Sequence, residues 1–427
     1  MPGTPTQSLV LTFEEARRVV EQHAAILPPG AEENVHLLPA AGRVLAEPII
    51  ADRDIPPFRR ATRDGYAVRA SDLATLPARL RVIGEIKAGP GPLPSVLKAG
   101  ETFSIMTGAP VPSGANAVVM VEHTSQQENV VEITRTIAPG ENLVPQGAEA
   151  KRGGLLLAVG TRLNAPAIAL AASVGRSHLK VFARPRVAVL TTGDEIVELD
   201  SKIGPTQIRN SNSYSLAVQI GEAGGEPVLL PIAPDQPRRL RELIEQGLHS
   251  DLLIMTGGVS MGRYDLVEQV LSELHAEFYF TGAKIQPGKP AVFGRCLCAS
   301  GRLCGAGTPA RDASAHKYFF GLPGNPVSTM VTFELFARPM VEALCGIPPR
   351  PIQFLHARLK SDIRVKTGLT RFLPAILSGA YENSQAEVVP WQGSGDIAAQ
   401  SRANCYIVTP PDREHLASGE WVAILQR

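Results

Sequence analysis

Hydrophobic and polar positions follow two different periods along this chain, and the changes of period divide it. Near the start, Thr12-Phe13-Glu14-Glu15 reads as a capping box, with Thr12 as N-cap and Glu15 three residues later. It predicts a helix that runs through Arg18 and Val20 and stops before Pro28-Pro29. From about Asp52 to Gly147 short β-rich runs take over (Arg81–Ile86, Ala117–Val121, Val130–Ile133), punctuated by Pro and Gly as in a small all-β domain. Residues near 165–174 look helical again, so a first domain interrupted by a β insertion is expected.

From Arg186 the rhythm changes. Val187–Leu190, Val228–Leu230 and Leu252–Met255 are short apolar runs that read as strands. Between and after them lie helical stretches: one from Ser213 to Gly224-Gly225, one with Leu240, Leu243, Ile244 and Leu248 on a single stripe, and one with Leu266, Val267, Val270, Leu271 and Leu274. Strands alternating with helices at this spacing predict βαβ units and a parallel sheet covered on both faces. A helix over Val327–Leu344, ended by Gly346 and Pro348-Pro349, should close that domain. Beyond about residue 350 the pattern returns to short strands, ending in Trp421–Leu425. The expected fold class is therefore α/β and multidomain. A discontinuous mixed domain takes 1–52 and 147–184, an inserted β-rich domain 53–146, a parallel-sheet α/β domain 185–347, and a C-terminal β domain 348–427.

Composition narrows the function classes. The 427 residues suit about three domains. Lys+Arg is 42 against Asp+Glu 41, so bulk charge gives no reason to expect nucleic acid or an anionic membrane as partner. Aromatics are only 5%, which disfavours a base-stacking platform. The first residues carry no basic segment followed by an apolar stretch, and Ala165–Ala172 is far too short for a bilayer span. Five cysteines fit a reducing compartment better than a disulfide framework, so the expected location is the cytoplasm.

Open parallel sheets bind ligands beyond the carboxyl ends of their strands. Two strands here end alike, in Thr191-Thr192-Gly193-Asp194-Glu195 and in Thr256-Gly257-Gly258-Val259-Ser260-Met261-Gly262, with Asp265 just beyond. Glycine lets backbone N–H groups approach an anion, hydroxyls add donors, and the carboxylates offer hard oxygens for Mg2+ bridged to phosphate. Lys284-Ile285-Gln286-Pro287-Gly288-Lys289-Pro290 holds Lys289 as a point charge suited to an oxyanion. Leu322–Ser328 joins a strand to a helix with Pro326 near its first position, which predicts a helix start with free N–H groups. Taken singly, each of these segments is an ordinary turn. So are Arg63–Ala67 and Met106–Pro110 in the β insertion.

Together they say more. Asp64-Gly65-Tyr66-Ala67, Met106–Pro112, Thr192–Glu195, Gly257–Ser260, Pro287–Pro290 and Leu322–Ser328 resemble, in order, the motifs of the molybdopterin molybdenumtransferase family, whose eukaryotic relatives include the C-terminal domain of gephyrin. The ordered set spans nearly the whole chain. The resemblance implies a four-part protomer in an elongated homodimer with sites shared between protomers. It also implies insertion of molybdenum from molybdate into the dithiolene of adenylylated molybdopterin, with AMP released and Mg2+ assisting. By matching motif, Asp64, Thr107, Glu195, Asp235, Asp265 and Lys289 would be catalytic, with Glu195 and Asp265 facing the metal. Cofactor-binding positions would be Thr192, Gly193, Asp194, Asn212, Gly257, Gly258, Ser260, Lys284, Pro323, Gly324, Asn325, Arg371 and Ser394. Partners implied are a molybdopterin adenylyltransferase and recipient molybdoenzymes.

The chain departs from the family pattern in places. Many relatives have lysine where Gln286 stands, so a positive charge is missing there or supplied by Lys284. An arginine common two residues after the match to Phe372 is here Pro374, with Arg371 beside it as a substitute. The stretch from Cys296 to His316 is longer than usual, and Cys296, Cys298 and Cys304 lack the paired Cys-x-x-Cys spacing of zinc sites, so a loop with free thiols is expected. Two rivals stand beside the transferase. An adenylyltransferase would use similar Thr-Gly-Asp-Glu and Gly-Gly-Val-Ser loops but usually on a shorter chain, and a gephyrin-like scaffold would need a peptide groove that nothing in the sequence singles out.

Overall fold

The computed structural model describes residues 9–90, 95–258, 266–296 and 317–426. Their contacts form two compact units, one within residues 1–35, 42–46 and 180–427, the other within 36–41 and 47–179.

The larger unit opens with β1 (Val10–Leu11) and α1 (Phe13–Ala25). The capping box forms as the sequence predicts: Thr12 Oγ1 accepts from the Glu15 amide, and Glu15 Oε2 accepts from the Thr12 amide. Its central sheet begins with β2 (Arg186–Thr191), α2 (Asn212–Ala223) and β3 (Glu226–Leu229). It continues with α3 (Pro237–Gly247), β4 (Leu252–Thr256), α4 (Leu266–Glu273) and β5 (Glu277–Phe280). After β6 (Ile285–Gln286) come β7 (Val292–Cys296) and β8 (Lys317–Leu322). The strand order is β3-β2-β4-β8-β7-β5. The first four are parallel, as expected. The antiparallel pair β7 and β5 extends that parallel set at one edge.

Side chains on these strands alternate between two cores. Val187, Val189, Leu252, Ile254 and Phe320 pack with α1 and α2 on one face. Ala188, Leu190, Leu253, Met255 and Phe319 pack with Leu240, Leu243 and Ile244 of α3 and Val267, Val270 and Leu271 of α4 on the other. Both faces are covered, which directs attention to the strand ends as the place for a ligand.

The helix expected over 327–344 is three pieces. Pro326–Thr332 (α5) is α-helical, Phe333–Ala337 is π-helical, and Arg338–Leu344 (α6) is α-helical again. Pro339 has no N–H to give the Leu335 carbonyl. Arg17 from α1 takes that acceptor instead, Nη1 to O at 2.6 Å. After α6 the chain forms a six-stranded sheet whose order is β6, β9 (Thr370–Ser378), Gln385–Val388, Leu355–Leu359, Trp421–Gln426 and Cys405–Thr409. Pairing of β9 with Cys405–Thr409 closes the sheet on itself as a barrel.

In the smaller unit a six-stranded sheet carries Gly65–Val68 between Ala117–Met120 and Glu101–Ile105. A side chain on Gly65 would have its Cβ 1.8 Å from the Val119 carbonyl oxygen, so only glycine allows this approach. Asn164 caps a helix over Ala165–Ser173, close to the expected one. No helix among the described residues is long and apolar enough to cross a membrane. Cys298, Cys304 and His316 lie outside the described residues.

Candidate functional site

The carboxyl ends of β2, β4 and β8 meet through a buried polar web. Asn212, the first residue of α2, donates from Nδ2 to Thr256 Oγ1 at 2.9 Å and to the Gly324 carbonyl at 2.7 Å. Thr256 Oγ1 in turn donates to the Pro323 carbonyl at 3.0 Å, which Thr329 Oγ1 also reaches. Behind it Thr191 Oγ1 lies 2.8 Å from Ser213 Oγ, and Asn210 bonds Ser213 through both ends of its amide. Two polar atoms buried in this web have no hydrogen-bond partner among the described residues, Asn212 Oδ1 and Thr192 Oγ1.

The glycines set how closely the loops approach. Gly257 has φ +87°, and a Cβ there would stand 2.5 Å from the Thr192 carbonyl oxygen. At Gly258, φ +60°, it would stand 2.8 Å from Thr192 Oγ1. Gly324 lies over Gly257, its Cβ position 3.5 Å from the Gly257 Cα. The structure thus brings Thr192, Gly193, Asn212, Gly257, Gly258, Pro323 and Gly324 together.

Acidic side chains flank this cradle. Asp194 Oδ1 accepts from the Asp235 amide at 3.0 Å, and the Glu195 carboxylate folds back over Gly193. Partial burial, reinforced by the charges of Asp194 and Glu195, raises the Asp235 pKa above the ordinary carboxylate range. Among the described residues no three His, Cys, Asp or Glu side chains form a ready metal cluster. Ser260 and Asp265 lie outside the described residues. The mutual repulsion felt by Asp235 fits a hard divalent cation, which would relieve it.

The lysine loop is pinned on three sides. Ala283 donates to the Lys289 carbonyl at 2.9 Å, Lys284 donates to Leu11 of β1 at 2.7 Å, and Thr370 donates to Lys284 at 3.0 Å. Gly288, φ +110°, packs on α5, where a Cβ would meet Thr332 Cγ2. Lys284 and Lys289 are exposed. Arg371 stands opposite Gln286 in the parallel β6–β9 register and bonds it, Nε to Oε1 at 2.8 Å. Burial lowers the Arg371 pKa, yet a guanidinium stays charged. Pro374 is buried within β9.

The start of α5 has fewer free N–H groups than the sequence suggests. Pro326 has none, and Val327 N–H is spent on the Ser394 carbonyl at 3.0 Å. Asn325 Nδ2 also donates to Ser394 Oγ at 2.9 Å. Ser394 therefore lies beside the Pro323–Asn325 loop. In the smaller unit, Asp64 Oδ1 accepts from the Thr107 amide at 2.6 Å and the Thr107 hydroxyl at 2.9 Å. Those bonds lower the Asp64 pKa.

Sequence reasoning missed Thr329 and Asn210, and read Thr256 only as part of a donor-bearing loop. The available signal was chemical: a hydroxyl at the end of an apolar strand, and hydroxyl residues along a buried helix.

Residues 11–175 match the family model described as MoeA N-terminal region (domain I and II), 188–343 the probable molybdopterin binding domain, and 356–426 the MoeA C-terminal region (domain IV). A protein of Nostoc sp. named molybdopterin molybdenumtransferase is 37% identical over 404 residues, covering 92% of this chain and 88% of its own. The chain belongs to the molybdopterin molybdenumtransferase family. A family member of Haemophilus influenzae is 32% identical over 97% of this chain and 98% of its own. The crystal structure of the molybdopterin biosynthesis MoeA protein from Pyrococcus horikoshii OT3 superposes with a TM-score of 0.76 at 29% identity, covering 98% of this chain and 100% of that one.

Proposed function

We propose that this chain is a molybdopterin molybdenumtransferase, which inserts molybdenum from molybdate into adenylylated molybdopterin and releases AMP. The observation that carries this reading is the joining of the Thr192–Gly193, Gly257–Gly258 and Pro323–Asn325 loops through Asn212 at the ligand-binding end of the sheet. Such a cradle suits a nucleotide-bearing substrate, because backbone approach and hydroxyl donors meet phosphate oxygens. Membership of the family along nearly the whole chain supports it.

In this reading Asp194, Glu195 and Asp235, with Asp265, would hold Mg2+, which would supply neutralisation of charge on the phosphoanhydride oxygens. Lys289, Lys284 and Arg371 attract molybdate, and Ser394 stands beside the Pro323–Asn325 loop of the cradle. Asp64 presents a carboxylate held ionised by Thr107. The four-part division of the chain, a homodimer whose protomers share sites, a cytoplasmic location, and hand-over from an adenylyltransferase to recipient molybdoenzymes belong to the same proposal. Neither nucleic acid nor membrane has a part in it.

The test is incubation of the chain with adenylylated molybdopterin, Mg2+ and molybdate, following AMP release and protein-retained molybdenum. Molybdate-stimulated AMP release is the expected result. Release that ignores molybdate sinks the proposal, and AMP transfer from ATP to molybdopterin would instead mark an adenylyltransferase.

A further inference from the structure

Arg371 is only 7% exposed and has no carboxylate ion-pair partner among the described residues. Its Nε is spent on Gln286 Oε1 at 2.8 Å and its Nη1 on the Leu369 carbonyl at 3.2 Å. Nη2 makes no hydrogen bond among the described residues. The guanidinium thus has a fixed, mostly enclosed stem and one end open to solvent, which is where an anion can meet it. Lys284 and Lys289, on the same loop as Gln286, also lack ion pairs within 4 Å among the described residues. Three cations therefore share one segment and its strand partner; none forms an ion pair among the described residues, and Glu15 acts on Lys284 only at longer range.

The residue opposite Arg371 decides what that guanidinium can do. A glutamate would hold Nε but cancel the charge, a lysine would repel it, and a methionine would leave Nε unbonded. An amide of glutamine length keeps the bond and leaves the charge intact. The β6–β9 register sets Gln286 and Arg371 side by side, so the bond is fixed by backbone pairing at both ends.

We propose that Gln286 is a positioning residue that sets the roll of the Arg371 guanidinium, leaving Nη2 as the unspent donor for a tetrahedral oxyanion held with the loop lysines. This rests on the reading above only in naming that oxyanion as molybdate. Gln286 touches no substrate in this role. It gives the site directional donors in place of one more positive charge, so the anion is read by geometry as well as by charge.

The test compares wild type with Gln286→Met, Gln286→Glu and Arg371→Gln, titrating each with sodium molybdate and, separately, with AMP by calorimetry, and recording melting temperature. Gln286→Met should weaken molybdate about fivefold through loss of the orienting bond. Gln286→Glu should keep the bond and the melting temperature yet weaken molybdate about tenfold or more, because the carboxylate cancels the guanidinium charge, and Arg371→Gln should do the same by removing the charged donor. AMP affinity should stay within about twofold in all three, since the nucleotide loops are elsewhere. Wild-type molybdate affinity in both Gln286 variants overturns the proposal, and so does a parallel fall in AMP affinity, which marks general damage. Oxyanion binding that follows this pattern in a chain with no AMP-releasing turnover would uphold the role of Gln286 and sink the enzymatic reading alone.

Discussion

Thr107 bonds the same oxygen of Asp64 twice, through its amide at 2.6 Å and its hydroxyl at 2.9 Å. Both donors favour the ionised carboxylate and lower its pKa, the backbone bond more than the side-chain bond. The other Asp64 oxygen is left to meet substrate, water or cation. A depressed pKa means the interaction is intact above the unfolded-state value and is lost as pH falls through the folded one. Thr107→Val keeps the amide and drops the hydroxyl, so the Asp64 pKa should rise part of the way. Thr107→Ser should leave it in place. Carboxyl titration by NMR checks both, and an unmoved Asp64 in the valine variant would separate the hydroxyl from its charge state.

Gly257→Ala should abolish pterin-nucleotide binding and cost stability. Its Cβ would sit 2.5 Å from the Thr192 carbonyl oxygen, on a backbone with φ +87°. Strain of that kind costs roughly 1–3 kcal/mol before any loop shift. Urea unfolding and AMP titration of the variant measure the two losses, and a normal AMP isotherm would show that the loops need not be this close.

Asp235 should report cation binding. Its pKa is raised by burial first and then by Asp194 and Glu195, so the folded state holds a proton that the unfolded state releases sooner. That contribution is present below the unfolded pKa's range and is lost as pH rises through the folded pKa. Mg2+ should therefore bind more tightly above that pH and lower the Asp235 pKa, and Asp194→Asn should lower it without metal. Titration of the Asp235 carboxyl with and without Mg2+ decides, and identical curves would place the cation elsewhere.

Lys289→Ala should raise the molybdate concentration needed for half-maximal AMP release by roughly tenfold while leaving AMP affinity near wild type. If nucleotide affinity falls as steeply, the lysine serves phosphate.

Shared sites predict complementation between chains. Asp64 and Glu195 belong to different contact units, and each single Ala variant should lose about 10²-fold or more in turnover. Mixed under subunit exchange, the two should regain activity well above either parent, because a heterodimer rebuilds one whole site. Exchange confirmed by mass without any recovery would assign each site to one chain.

What the sequence made legible was local or chemical. The Thr12–Glu15 box and the α3 stripe at Leu240, Leu243 and Ile244 depend on neighbours within a turn or two, and both form. The glycine and threonine loops were recognisable because only such residues let backbones meet this closely. The π segment at Phe333–Ala337 was hidden, because the group that replaces the missing Pro339 bond is Arg17, 318 residues from its acceptor. The bond that takes up the Val327 N–H at the start of α5 was equally invisible, since its acceptor, Ser394, lies 67 residues further along the chain. Ser260 and Asp265 stay where sequence reasoning left them, as proposals.

The lysine loop also carries a timing consequence. Its backbone is tied to Leu11 at one end of the chain and to Thr370 in the closing barrel at the other. Contacts of such long sequence separation form late, after the segments between them have ordered. During synthesis the Thr-Gly cradle can assemble as soon as its own strands emerge, whereas Lys284–Lys289 has no second wall until β9 is made. A nascent or C-terminally truncated chain would thus grip the nucleotide before it could grip the metal oxyanion, and only the finished polypeptide would be competent for both.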